Sequence, residues 1–286
     1  MPQTWSLGGL SVIELLKRTA RESWEDEVFG QAARLAFYHF LAIFPVLLLV
    51  LMALTRLAGA GADMRTALTG SFRQFLPADA ASLVAGAIND LTGSARAAAA
   101  SLFFGALSAV WASFNAAWAM IVGLNIAYEV DEDRDWRRIA LISSGLALTV
   151  VALIFAALVA MHVLGGSRNG MAAGLLRWAA VTGILLISFG LFYRFGPNLK
   201  NQAWQWSTPG AVFAALLWVG ATFGYREYCD HFGHYQQIYG RAAAMAALLL
   251  WMYMTSAAVL IGAELNSEIE KASDHVEGPD GRRRKA

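Results

Sequence analysis

The chain has 286 residues, of which 57% are hydrophobic and only 15% charged, with a formal net charge of +1. About a quarter of a soluble domain is charged, so this composition, with its repeated long apolar runs, excludes an ordinary soluble protein and indicates one integral to a membrane. The small net charge offers no electrostatic footprint for nucleic acid, and the single cysteine, Cys229, excludes an internal disulfide.

The first thirty residues lack the basic leader, apolar core and small-residue cleavage site of a cleavable signal. The first span is therefore expected to act as its own insertion signal. Segment 8–30 is expected to be a cytoplasmic interfacial helix, with Leu7, Leu10, Ile13 and Leu16 on one face and Glu14, Lys17, Arg18 and Arg21 polar. The expected organisation is this N-terminal segment over 1–31, a six-helix membrane domain over 32–266 and a cytoplasmic polar tail over 267–286.

A helical crossing needs about 20 predominantly apolar residues. Six segments qualify: 33–57, 97–122, 138–164, 174–195, 208–229 and 240–265. They do not alternate apolar with polar as barrel strands would, so helices are the form that satisfies their backbone in lipid. The expected fold is all-α. The first span, AARLAFYHFLAIFPVLLLVLMAL, carries Arg34, His39 and Pro45. Pro45 has no N–H and clashes with the carbonyl of Leu41, which predicts a kink. Arg34 can snorkel to the cytoplasmic surface, and a kink beside His39 is what a cavity or gate would use.

Between the first two spans, two amphipathic extracytoplasmic helices are expected. Met64, Leu68, Phe72 and Phe75 line one; Leu83, Val84, Ala87, Ile88 and Leu91 line the other, beyond Pro77. The second span has small residues at every fourth position, Ala97, Ser101, Gly105, Ala109, Ser113 and Ala117, which lets helix backbones approach closely. Asn115 and Asn125 follow on that helix. The acidic turn from Glu129 to Asp135 reads as a solvated loop rather than a metal site, and Trp136, Arg137 and Arg138 read as an interfacial anchor.

The fourth span ends in LFYRFGPNLK, with Arg194 just inside the cytoplasmic edge and Gly196 and Pro197 stopping the helix. The fifth adds Gly220 and Gly224 to the small-residue packing. Cys229, Asp230, His231 and His234 then read as an exposed polar loop rather than a zinc site. The sixth span ends in LIGAELNSEIE, which puts Glu264 at the membrane level of Arg194. A lone buried carboxylate is costly, so Glu264 is expected to meet Arg194, Arg34 or a proton. Lys and Arg concentrate before the first span, between the second and third, after the fourth and after the sixth. Both termini are therefore expected in the cytoplasm.

Taken together, LAFYHFLAIFPVLLLV, NIAYEV, LFYRFGPN, TPGAVFAALLWVGATFGY, YG at 239–240 and LLWMYMTSAAVLIGAELN resemble the YihY/BrkB family of bacterial inner-membrane proteins. The pieces lie in order and cover most of residues 32–266. The resemblance implies a multi-pass protein of the bacterial inner (cytoplasmic) membrane with six spans and cytoplasmic termini. Family names suggest serum resistance and envelope lipid export. The old ribonuclease BN label finds no nuclease feature in this sequence. Arg34, His39, His231 and His234 depart from the family pattern.

The functional expectation is a non-enzymatic transporter or exporter of an amphiphilic substrate, an anionic lipid or envelope-linked component. Arg34, His39, Arg194 and Glu264 would line a cytoplasm-facing cavity, the arginines holding a headgroup and Glu264 holding or switching them. No nucleotide, zincin or hydrolase motif is present. Neither catalytic residues nor a metal nor a cofactor is therefore expected, and energy would come from a gradient or a partner. The expected partners are membrane lipids, with an envelope protein or a second copy of the chain, and no nucleic acid. A structural or adaptor protein of envelope assembly is the alternative. A membrane-embedded hydrolase ranks third.

Overall fold

The computed structural model describes residues 7–58, 98–165, 171–199, 208–232 and 241–277. Among these the regular structure is helical: α1 (Val12–Glu25), α2 (Val28–Ala58), α3 (Ala98–Ala127), α4 (Trp136–Gly165), α5 (Met171–Phe195), α6 (Pro209–Phe232) and α7 (Arg241–Glu277). The all-α reading holds, and α2 to α7 overlie the six expected segments. Leu107–Ala127, Trp136–Leu153 and Ala242–Ser273 are each long and apolar enough to cross a membrane, and Ala179–Phe195 is a shorter apolar helix. The two expected extracytoplasmic helices, the side chain of Pro45 and His234 lie outside the described residues, whereas Cys229, Asp230 and His231, expected in a loop, fall in the last turn of α6.

Helix α1 starts at Ser11, whose hydroxyl accepts the Glu14 N–H at 3.2 Å, satisfying one orphan donor of the first turn. It ends at Asp26, whose N–H returns to the Glu22 carbonyl. Glu27 follows in the left-handed region at φ 51°, and α2 departs from there. The inward face of α1 is Leu15, Thr19 and Ser23. Leu15 packs on Leu265 and Ile269 of α7, with Leu7 and Leu10 half-buried beside them. Of the four residues expected to form one apolar face, Ile13 and Leu16 instead point outward, together with Val12 and Trp24. The helix therefore has two apolar stripes, one packed on α7 and one flanked by Lys17, Arg18 and Arg21, as an interfacial helix presents. Gly8, at φ +60°, itself lies against α7; a Cβ there would stand 2.7 Å from Ala272 Cβ and 2.9 Å from the Ile269 carbonyl oxygen.

The bundle closes around α7, which packs against α6, α2, α1 and α3. From Gly262 to Ile269 every residue of α7 is buried, so this stretch is enclosed on all sides. It extends into the expected tail, and the helix continues to Glu277. Close approach is achieved with small residues. Ala112 and Ala116 of α3 pack on Ala42 of α2, and a Cβ on Gly123 would lie 3.0 Å from Leu260 Cδ2. Ala109 and Ala117 of the expected ribbon are buried, while Ser113 is half-buried. The inward face advances by threes and fours because a straight helix has 3.6 residues per turn.

Gly220 and Gly224 have nothing within 4 Å of an added Cβ, which corrects the expectation that they bring α6 close to a neighbour. The close crossing is at Gly210 and Gly262, where a Cβ on Gly210 would fall on the Gly262 carbonyl oxygen and one on Gly262 would lie 2.6 Å from the Gly210 carbonyl oxygen. Backbone stands on both sides, so no side-chain rotation relieves either clash. Gly210→Ala or Gly262→Ala is expected to cost about 1–3 kcal/mol or more through overpacking, whereas Gly220→Ala should be neutral. Thermal unfolding in detergent, followed by loss of the monodisperse peak, checks the contrast.

Candidate functional site

The enclosed stretch of α7 is apolar at Ala263 and Leu265 but also contains Glu264, Asn266, Ser267 and Glu268, all buried. An unsatisfied polar group costs free energy in such surroundings, so each partner matters. The side chain of Asn266 is spent on α6. Its Oδ1 accepts the Gly210 N–H at 2.8 Å and its Nδ2 donates to Thr208 Oγ1 at 2.9 Å. Thr208 in turn accepts the Ala211 N–H at 3.2 Å, with Pro209 as the first helical residue. Thr-Pro-Gly is thus a helix start whose Gly210 N–H, free of any intrahelical partner, meets the amide of α7. One helix away, the Tyr193 hydroxyl of α5 donates to the Val259 carbonyl at 2.6 Å.

Glu268 pairs with Lys271 at 2.9 Å, and Lys271 reaches Glu129, just after α3, at 2.7 Å. Tyr128, beside Glu129, is buried; burial, then the Glu270 carboxylate, pushes its phenol well above the ordinary range. Glu264 is 0% exposed, and neither carboxyl oxygen has a hydrogen-bond partner. Its charged neighbours are Asp26, Lys271, Glu22 and Glu268. Asp26 sits at the joint between α1 and α2, and its Oδ2 is likewise buried without a partner. Burial, then the Glu129 and Glu22 carboxylates, push Asp26 above the ordinary carboxylate value; Lys271 and the neighbouring Glu264 carboxyl pull the other way. Two neighbouring carboxyls can share a hydrogen bond only when one carries a proton.

The four residues expected to form one site lie as follows. Glu264 is at the centre of the polar node. Arg34 is exposed on α2, whose inward face runs through Ala32, Leu35 and Ala36. Arg194 is half-buried in the last turn of α5, where a cation suits the helix dipole. His39 is half-buried, its Nδ1 3.3 Å from Ser256 Oγ on α7, which lies about 12 Å along the helix from Glu264. Glu264 makes no ion pair with Arg34 or Arg194; α1, folded back on α7, brings Asp26 to it instead. Sequence reasoning missed Asp26, Thr208 and Asn266. Thr-Pro-Gly was a readable signal for a helix start, but nothing local announced that Asp26 would meet α7.

The acidic turn is also more than a solvated loop. Glu132 receives Arg134 Nε at 2.6 Å and Asn125 Nδ2 at 2.8 Å, and Arg134 Nη2 donates to the Gly196 carbonyl at 2.8 Å. Asn125 Oδ1 accepts the Asn198 N–H at 2.9 Å. The turn after α3 is thereby clamped to the end of α5.

A family model described as Virulence factor BrkB matches residues 19–286. The ribonuclease-like protein YfkH of Bacillus subtilis (strain 168) is 28% identical over 255 residues, covering 85% of this chain and 90% of that protein. UPF0761 membrane protein Smlt0865 of Stenotrophomonas maltophilia (strain K279a) is 28% identical over 86% of this chain but 58% of its own length. A UPF0761 membrane protein of Tolumonas auensis (strain DSM 9187 / NBRC 110442 / TA 4) is 40% identical over 87 residues, 29% of this chain and 28% of that protein. The chain thus spans little more than half the length of the Stenotrophomonas relative. No solved structure matches.

Burial acts to raise the Glu132 carboxyl, but the bonds from Arg134 and Asn125 outweigh it and hold the group below its ordinary value. A depressed carboxyl contributes stability above its unfolded value that is lost as pH falls through the folded one. Arg134→Ala is therefore expected to lower the unfolding temperature at neutral pH, and the gap to wild type should shrink on acidification below about pH 4. Thermal scans of both proteins across that range check it.

Proposed function

The chain belongs to the Virulence factor BrkB family of membrane proteins, and from that premise we propose that it is a bacterial inner-membrane transporter or exporter of an amphiphilic, anionic lipid or envelope-linked substrate. The observation that carries the reading is the carboxyl of Glu264, fully buried without a hydrogen-bond partner inside a helix long enough to cross a membrane. Ionisable groups at such positions are expensive and mark substrate or ion pathways. Arg34 and Arg194 provide cations for a headgroup on α2 and α5. Arg34 is exposed where it can meet one, and guanidinium suits phosphate through paired N–H donors. His39, bonded to Ser256 in the same span as Arg34, joins α2 to α7 and would carry movement of one to the other. The sequence has no nucleotide-binding motif, so an ion gradient or a partner would supply the energy. In this reading the chain is not an enzyme, both termini face the cytoplasm, and its partners are membrane lipids. A nuclease reading draws only on the wording of the Bacillus relative's name.

The alternative, an adaptor of envelope assembly, needs no substrate site. Native mass spectrometry of protein extracted with its surrounding lipid separates the two. Wild type is expected to retain an anionic lipid selectively. Arg34→Ala and Arg194→Ala should each reduce that retention on the order of tenfold, the equivalent of about 1.4 kcal/mol. Equal and unselective retention by all three proteins would reject the headgroup site and favour the adaptor.

A further inference from the structure

We propose that Asp26 and Glu264 form a proton-binding site, in which one shared proton ties the joint between α1 and α2 to the enclosed stretch of α7. That the pair holds a proton stands on geometry; its use as the coupling site rests on the transport reading above.

Three observations converge. Glu264 is wholly buried, and neither of its oxygens has a hydrogen-bond partner. Asp26, at the joint between α1 and α2, brings a second carboxyl beside it, whose Oδ2 is likewise buried without a partner. A bond between two carboxyls requires one to donate, and two bare carboxylates at such a distance repel strongly, so a single proton satisfies both groups at once. The raised value of Asp26 agrees with this.

The surroundings favour proton over metal. Among the described residues no three His, Cys, Asp or Glu side chains are gathered so as to hold a metal ion, and a hard divalent cation takes six or more oxygen ligands. The charged and titratable groups around the pair come from every side. α1 brings Glu22, the end of α3 brings Tyr128 and Glu129, and α7 itself brings Glu268 and Lys271. Lys271 is the cation among them, and it is engaged by Glu129 and Glu268. α2 carries Gln31 and Arg34 in its first two turns, and Arg34 is exposed. α6 contributes the uncharged Thr208, which is bonded to Asn266. With three further carboxylates close by, loss of the shared proton would leave an uncompensated negative cluster, which disfavours the seat of α1 on α7.

The sign follows from the raised Asp26 carboxyl. Such a group favours the docked state while protonated, and that contribution is lost as pH rises through its raised value. α1 is thus seated firmly at acidic pH and loosened at alkaline pH, a link between proton release and movement of the α1–α2 joint.

Infrared difference spectroscopy on the full chain in bilayers, titrated from about pH 5 to about pH 9, tests the site directly. Wild type should show the carbonyl band of a protonated carboxylic acid that persists at neutral pH and disappears at the alkaline end. Glu264→Gln should remove it, because the amide donates to Asp26 without a proton. Asp26→Asn, a second variant that needs no change on α7, should remove or shift it. A wild type with no such band, a band unchanged in both variants, or a band abolished by sodium at fixed pH would overturn the proposal. None of these results depends on whether lipid is moved. Failure of the proton site is therefore distinguishable from failure of the transport reading, which the lipid-retention measurement decides.

Discussion

The structure depends on the enclosure of α7 between Gly262 and Ile269. A helix surrounded on every side cannot turn a polar residue toward water, and this stretch contains four of them, Glu264, Asn266, Ser267 and Glu268. Each neighbouring element meets it differently. α6 comes within backbone contact because Gly210 and Gly262 have no side chain to hold it away. That closeness brings the Gly210 N–H at the start of α6 onto the Asn266 amide. A larger residue at either glycine would part the backbones and leave the amide and the helix start unsatisfied together, so packing and polar satisfaction are one constraint here.

The same enclosure explains the role of α1. It is too short to cross a membrane, yet Leu15 reaches Leu265 and Ile269 while Ser23 and Thr19 turn inward. Closing the bundle with this helix covers the end of α7 and brings Asp26 to Glu264. The other charged residues of the region are paired: Lys271 with Glu129 and Glu268, Arg134 with Glu132. Among the described residues, both Glu264 oxygens and Asp26 Oδ2 at the centre are buried without a hydrogen-bond partner. An arrangement that satisfies its periphery and leaves a titratable pair inside is poised to respond to protons, which is how a family fold built for packing can also carry an ion site.

Much of the fold was legible because long apolar runs in lipid have one solution. Six such runs appear as six long helices, and the family resemblance is upheld by the match over residues 19–286. What sequence could not show was rotation and pairing. α1 has apolar residues on two faces, and only its contact with α7 selects Leu15 over Ile13 and Leu16 as the inward one. Gly220 and Gly224 have the four-residue spacing of a packing motif but face open space, because the α6–α7 crossing is set at the other end by Gly210. Glu264 was recognisable as a costly carboxylate. Its expected partner is a cation at the same depth or a proton; the chain brings it a second carboxyl from a turn more than two hundred residues earlier. The acidic turn after α3 read as solvated because charge runs usually are; Arg134 and Asn125 make it a clamp.

The most direct test of this account is lipid movement across a reconstituted bilayer under an imposed proton gradient. Vesicles would contain a fluorescent anionic phospholipid or its zwitterionic counterpart, with wild type or Glu264→Gln, and the readout is the fraction of label reaching the opposite leaflet. The account predicts gradient-dependent movement of the anionic label by wild type, little movement of the zwitterionic one, and none above the protein-free rate with Glu264→Gln. Wild type that moves neither label under either sign of gradient, or a variant that moves the anionic label as fast as wild type, would contradict it.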